Sequence, residues 1–334
     1  SIDKVVIILA LQNIEKVGSG YHSDGYKLTT SEHRNFFLKK IKSHDLGFEF
    51  PERRLSSLLV SNSMAKRANF HPQVFGVFVV NSDEIHFLPD VTENSEMYHI
   101  QEYEKGISYL SLLQDKKNKT KIDQDDIKEL EKVIDFIVSL HAKKHPSKDF
   151  IQLKAVYNDS LRSIISHPEL TLMLLHDFPK DHPLLPIERQ KEFLGLMLDL
   201  IHAWKDRYDR LSAIHGDFWG ANVFFRNHSL FVIDYSRIPW GEPGIDIGWW
   251  LSQYVWRYHT TEKNYFKDLG EKFLEMYIAK THDEEIRKTV MLPLGLLGLI
   301  NISPRFYPNL DIVSAQKFLD GIFTILQNQK FSWS

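Results

Sequence analysis

The stretch His215-Gly216-Asp217-Phe218-Trp219-Gly220-Ala221-Asn222 constrains this chain more than any other. Two apolar runs follow, Val223-Phe224-Phe225 and Leu230-Phe231-Val232-Ile233. They are separated by Arg226-Asn227-His228-Ser229, which reads as a hairpin turn between short strands, and Asp234 closes the second run. Two carboxylates and one amide therefore fall at the ends of short, rigid elements. Phosphoryl transfer needs such a placement, because it asks little covalent help of the protein but requires an acceptor hydroxyl held in line and the phosphate charge neutralised. One carboxylate faces the hydroxyl. The other, with the amide, offers the hard oxygen ligands that magnesium prefers.

In the pattern H-x-D-x-x-x-x-N the Asp takes the first role and the Asn joins the metal shell, with a second Asp after a hairpin. Asp217, Asn222 and Asp234 match it. Together with Ile233-Asp234-Tyr235 and the later Gly244-Ile245-Asp246-Ile247-Gly248, this region resembles the aminoglycoside phosphotransferase and choline kinase family of small-molecule kinases. Gly216, where protein kinases usually carry Arg, and Asp234-Tyr235-Ser236 in place of Asp-Phe-Gly favour that branch.

The resemblance implies an α+β, protein-kinase-like fold of two lobes. Residues 1–103 form a small antiparallel β-sheet lobe that binds ATP, and residues 104–334 a larger, mainly helical lobe with the catalytic and acceptor sites. It implies Asp217 as catalytic base, Asn222 and Asp234 as Mg2+ ligands, His215 as a residue that shapes the loop, and Asp246 as a brace on its backbone. Asp246 is also expected at a helix N-cap. The partner implied is a small-molecule hydroxyl acceptor such as an amino alcohol, a sugar or an aminoglycoside. The alternative is a catalytically idle, nucleotide-binding regulatory module of the same fold.

Taken in order, residues 3–12 read as a short helix, although Val5-Val6-Ile7-Ile8 also suits a strand. Gly18 to Gly25 is a glycine-containing turn between strands, the plan of a loop that covers phosphates with backbone N–H groups, and Ser23 is its candidate polar contact. In the strand Phe36–Ile41, alternation puts Phe37, Lys39 and Ile41 on one face and Phe36, Leu38 and Lys40 on the other. By resemblance Lys39 is the cation for the α and β phosphates, with Lys40 as its competitor. Pro51 suits the first position of a helix in which Glu52, Leu55 and Leu59 share a face, and Glu52 is the candidate partner of the lysine. Strands over 75–80 and 85–88 lead to Met97–Gly106, a hinge by resemblance, where the carbonyl of Glu102 and the N–H of Tyr103 are the expected adenine contacts.

Farther on, the Lys- and Asp-rich run from Gln114 to Glu131 reads as a solvated loop and helix face, with a helix starting near Asp123. His141 and His145, four apart without a third ligand, read as surface or capping residues. Residues 153–208 are helical, broken at His167-Pro168 and across Phe178–Pro186. Five of the seven tryptophans lie between Trp219 and Trp256; Trp219, Trp249 and Trp250 are candidates for an acceptor pocket, because aromatic faces attract cations, and core packing is the competing role.

A net charge of −3 gives no electrostatic case for nucleic acid. No apolar run reaches the ~20 residues of a membrane span, so no membrane partner is expected. The chain contains no cysteine, which removes disulfides and thiolate metal sites and makes the cytoplasm the simplest location.

Overall fold

Strand register decides the core of the N-terminal unit. Seven residues, Asn35–Ile41 (β3), pair on one side with Ser23–Thr30 (β2) and on the other with Glu96–Glu102 (β6), both antiparallel. Leu28 lies opposite Phe36, and Leu38 lies opposite Ile100, so these four pack on one face with Leu11, Tyr26 and Tyr98 around them. The opposite face carries Ile41, covered by Leu58 and Leu55 of a helix (α1, residues 53–59) with Phe48 and Val77. Leu11–Ser19 (β1), Val74–Asn81 (β4) and Glu84–His86 (β5) complete an antiparallel sheet in the order β1-β2-β3-β6-β4-β5.

This computed structural model describes residues 11–43, 48, 50–51, 53–59, 74–81, 84–86, 96–165, 174, 176–226, 229–235, 239–328 and 330–333. Within it the chain forms two units, Ser1–Gly106 with Phe231–Arg237, and Ile107–Leu230 with Ile238–Ser334. The Asp234 segment thus groups with the first unit. Most of the helix expected over residues 3–12 lies outside the described residues, but Leu11 and Gln12 are strand, paired with β2. The α1 face also differs from expectation. It runs through Leu55 and Leu58, while Leu59 is 40% exposed, because the sheet offers Ile41 to only one turn of the helix. Glu52 lies outside the described residues.

The second unit is helical around one buried rod. Its longer helices among the described residues are Tyr109–Asp115 (α2), Gln124–His141 (α3), Phe150–Ile165 (α4), Ile187–Trp204 (α5), Gly244–Thr261 (α6), Asn264–Thr281 (α7), Met291–Ile302 (α8) and Ile312–Gln327 (α9). The sequence of α8, apolar in nearly every position, requires cover all round, and α5, α6 and α9 supply it. Gly248 of α6 allows a close approach, since a Cβ there would fall 2.4 Å from the Pro293 ring. Among the described residues no helix is long and apolar enough to cross a membrane.

At the start of α3, Asp123 and Asp126 form a reciprocal capping box. The expectation of a wholly solvated charge run fails here. Asp126 is 1% exposed, accepts from Tyr265 Oη at 2.9 Å and pairs with Lys116 at 2.8 Å and Lys119 at 3.1 Å. Burial pushes its carboxyl upward, but the Lys116 hydrogen bond, the Asp123 N–H and Lys119 outweigh it, and the net shift is downward. A depressed carboxyl contributes stability above its unfolded value, near 4, and loses it as pH falls through the folded one. Asp126→Ala, which strands the Tyr265 phenol and takes one of two carboxylate partners from each of Lys116 and Lys119, should cost about 2 kcal/mol in urea unfolding at neutral pH. Asp126→Asn should flatten the decline of stability below about pH 4 relative to the parent, measured in the same way.

Candidate active site

The His215–Asn222 loop is pinned at both ends by short ladders. Ser212–Ala213 (β8) pairs with Trp240–Gly241 (β11), and the Ile214 N–H donates to the Pro239 carbonyl at 3.0 Å. On leaving the loop the chain enters Val223–Arg226 (β9), which pairs with Ile107–Ser108 (β7), and Ser229–Val232 (β10) completes that sheet in the order β10-β9-β7. The Leu110 N–H donates to the Gly220 carbonyl at 2.9 Å, which fixes the loop from below.

Between these anchors the loop turns over a buried carboxylate. Asp246 is fully buried and accepts from the backbone N–H of His215 and of Gly216, each at 2.7 Å, one on each oxygen. Gly216 has φ of 82°, a left-handed conformation that glycine adopts without steric cost, so both N–H groups can face one carboxylate. Asp246 is not the N-cap expected from sequence. Pro243 is the capping residue and Asp246 lies within the first turn of α6, where the helix dipole favours an anion.

A third donor reaches Asp246 that the sequence did not reveal. His141 Nε2 lies 3.1 Å from Asp246 Oδ2, and His141 Nδ1 lies 2.9 Å from the Tyr277 hydroxyl. A carboxylate only accepts, so Nε2 carries a proton, and in the neutral ring Nδ1 then accepts a hydrogen bond from the Tyr277 hydroxyl. Burial holds the Tyr277 phenol well above its ordinary range and keeps it a donor. The reading of His141 as a surface or capping residue is therefore corrected, because it is 4% exposed and continues the buried stripe of Ile134 and Ile137 one turn on. That spacing was the available signal. His145 lies edge-on to Trp240, ring centroids 5.0 Å apart.

Asp217 and Asn222 are knit together. The Asn222 amide nitrogen donates to the Asp217 carbonyl at 2.9 Å and to its Oδ2 at 3.1 Å, and the Asp217 N–H donates to His215 Nδ1 at 3.2 Å. With its nitrogen committed, Asn222 presents Oδ1, a hard neutral oxygen of the kind magnesium takes.

In the first unit, Lys39 Nζ lies 2.5 Å from Asp234 Oδ1, with the two side chains 15% and 29% exposed. Lys40 points to the other face, where its ammonium sits 5.8 Å from the centroid of the Tyr98 ring. Asp234 has φ of 64°. Gly25, opposite Lys39 in β2, has no room for a side chain, since its Cβ would fall 2.7 Å from the Phe37 ring. Ser23 opens β2, and its carbonyl accepts from Gly20 N–H at 2.8 Å to close the turn. Asp24 next to it accepts from Ser19 Oγ at 2.6 Å and pairs with Lys16 at 2.9 Å. The Ser19 hydroxyl, then Lys16, with Lys42 behind them, hold its carboxyl well below the usual range. Glu102 ends β6 opposite Phe36, and Tyr103 follows it with the Lys27 ammonium 5.2 Å from its ring centroid.

The tryptophans divide. Trp250 is fully buried, stacked 4.7 Å from Tyr109 and 5.5 Å from Phe273, and 5.2 Å from Phe218. Its place is the core, so it lines no acceptor pocket. Trp249 is 8% exposed, and Trp219 is half-buried within the loop.

The sequence matches the APH phosphotransferase enzyme family over residues 13–289. No curated protein matches it significantly. Among solved structures, a thermostable mutant of aminoglycoside phosphotransferase APH(4)-Ia is similar with a TM-score of 0.56 at 14% identity, over 96% of this chain and 97% of that one. An ethanolamine kinase of Plasmodium vivax is similar with a TM-score of 0.58 at 12% identity, over 96% and 84%. An amicoumacin kinase is similar with a TM-score of 0.58 at 13% identity, over 98% and 93%. These likenesses establish the kinase-like fold expected from sequence, a small antiparallel sheet unit and a mainly helical unit. With the family match spanning most of its length, the chain belongs to the phosphotransferase enzyme family.

Proposed function

We propose that this protein transfers the γ-phosphoryl group of ATP to a hydroxyl of a small molecule. The observation that carries the reading is the Asp217–Asn222 pair, a half-exposed carboxylate bonded to an amide whose oxygen is left for a metal, on a loop held by three buried donors to Asp246. Asp217 orients the acceptor hydroxyl and takes its proton as the oxygen–phosphorus bond forms and the bond to ADP breaks. Lys39 neutralises phosphate oxygens, and Glu52, Glu102, Tyr103 and Ser23 contribute to holding the nucleotide. His215 and Asp246 position Asp217 without touching the reacting atoms.

The donor set fits magnesium. Asn222 and Asp234 supply oxygen, and no thiol competes. Bound there, the ion supplies charge neutralisation on the phosphates. Further support comes from what the structural neighbours contain: AMP-PNP with hygromycin B in APH(4)-Ia, and AMP-PNP with Ca2+ in the amicoumacin kinase. The cysteine-free composition supports a cytoplasmic setting.

Asp217→Asn should bind Mg-ATP as the parent does while kcat falls by about 100- to 10,000-fold, measured by calorimetry and coupled ADP release. Wild-type turnover in this variant defeats the assignment. Nucleotide binding without turnover, across a panel of alcohols, would instead identify the idle regulatory module. Asp246→Asn leaves one of the two backbone N–H groups facing an amide NH2, and should cost about 3 kcal/mol of stability and lower kcat more than it raises the KM for ATP. An unchanged melting temperature and kcat would show that the loop needs no brace.

A further inference from the structure

Half-buried arginines in the helical unit are paired, with one exception. Arg210 grips Glu242 and Asp283, Arg207 meets Glu285, Arg287 meets Glu271 and Arg305 meets Asp177. Arg257, on the same α6 that carries Asp246, pairs with no carboxylate among the described residues. Its guanidinium donates once, from Nη1 to the Gln253 carbonyl at 2.9 Å, and holds four further N–H donors. Its electrostatic neighbours are three phenols, Tyr109, Tyr254 and Tyr307. None supplies a negative charge. Tyr109 and Tyr254 bond each other at 2.7 Å, and burial pushes both phenols upward, which keeps them neutral. Burial also lowers Arg257 below its ordinary range, the sign of a cation that has lost water without gaining an anion.

This cation is bonded to a residue that packs on the His215–Asn222 loop. Gln253, one helical turn before Arg257, packs against the loop: a Cβ on Gly220 would fall 2.4 Å from its Oε1. Gln253 is 5% exposed, and neither atom of its amide has a partner among the described residues. One turn is about 5.4 Å, so an unpaired guanidinium lies close to the loop that carries Asp217 and Asn222. Tyr307, 40% exposed and stacked on Trp256 with ring centroids 6.3 Å apart, opens this region to solvent.

A desolvated charge is tolerated when something pairs with it. We infer that the missing partner is the acceptor: Arg257 reads an anionic group, so the alcohol phosphorylated here carries a carboxylate or a phosphate. The inference rests on the phosphotransferase reading and narrows it. Choline-like and aminoglycoside acceptors are disfavoured, because a cation placed beside Arg257 is repelled, and Trp250, which would have caged one, is in the core.

Matched pairs of probes test it on the full chain with Mg-ATP and coupled ADP release. D-glycerate against glycerol isolates a carboxylate, glucose 6-phosphate against glucose isolates a phosphate, and ethanolamine and hygromycin B represent cations. The expected result is turnover of at least one anionic member in preference to its neutral counterpart and to the cations. In Arg257→Gln the KM for that acceptor should rise about 10- to 100-fold, the loss of a charge-assisted hydrogen bond, with Mg-ATP affinity held. Arg257→Lys should recover part of it, and it decides the matter alone if the Gln variant does not fold. Preference for a neutral or cationic alcohol, failure of every anionic one, or an unchanged KM in the variants overturns the inference. Failure of the parent to bind Mg-ATP at all defeats the phosphotransferase reading first.

Discussion

One buried carboxylate sets the geometry of the helical unit. Asp246 is out of water, and an ionised carboxylate in that position is tolerable only when its lone pairs are filled. His215 N–H, Gly216 N–H and His141 Nε2 fill them, and they come from two separate parts of the chain. The loop supplies two, which forces Gly216 into a left-handed turn. The end of α3 supplies the third, which forces His141 inward and brings Tyr277 of α7 with it. Removing the carboxylate would leave three donors stranded, so the loop, α3, α6 and α7 are held in mutual register by a single group.

The same accounting separates the cations of this unit. Lys116 and Lys119 share Asp126, and Arg210 bridges two carboxylates of which one, Glu242, is fully buried. Glu242 lies two residues before the start of α6 and Arg210 two before β8, so their pairing holds the ladder that delivers His215. These pairs are internally complete. Arg257 stands apart because no carboxylate among the described residues matches its desolvation, and a matched surrounding is the ordinary state of a buried charge.

How much of this was legible in the sequence depends on the range of the interaction. The order Asp217, Asn222, Asp234 and Asp246 could be read because each follows a local signal: an apolar run, a turn or a helix start. The alternation in β3 separated Lys39 from Lys40 by face. What was lost needed partners far along the chain. His141 and Asp126 each looked solvated by composition, yet the first is buried by Asp246, 105 residues on, and the second by Tyr265, 139 residues on. Trp250 looked available because helical tryptophans near a site can serve either role, and only the rings of Tyr109, Phe218 and Phe273 decide it. Arg257 carried no signal at all, since its distinction is the lack of a carboxylate partner among the described residues.

Backbone strain singles out Asp234 independently of motif. Four non-glycine residues among those described have positive φ: His33, Asp234, Glu262 and His282. Glu262 and His282 end α6 and α7 as left-handed caps, and His33 sits in the turn where its N–H bonds the Thr30 carbonyl, so all three have an ordinary structural reason. Asp234 ends no helix. A left-handed residue with a side chain costs about 1–2 kcal/mol, less for Asp than for most. It persists when something over-determines it. Here the half-buried Lys39 ammonium, 2.5 Å from Oδ1, supplies that determinant. The strained backbone turns the carboxylate toward the cation, so the geometry of this pair is set by a local conformation rather than by the regularity of a strand or helix.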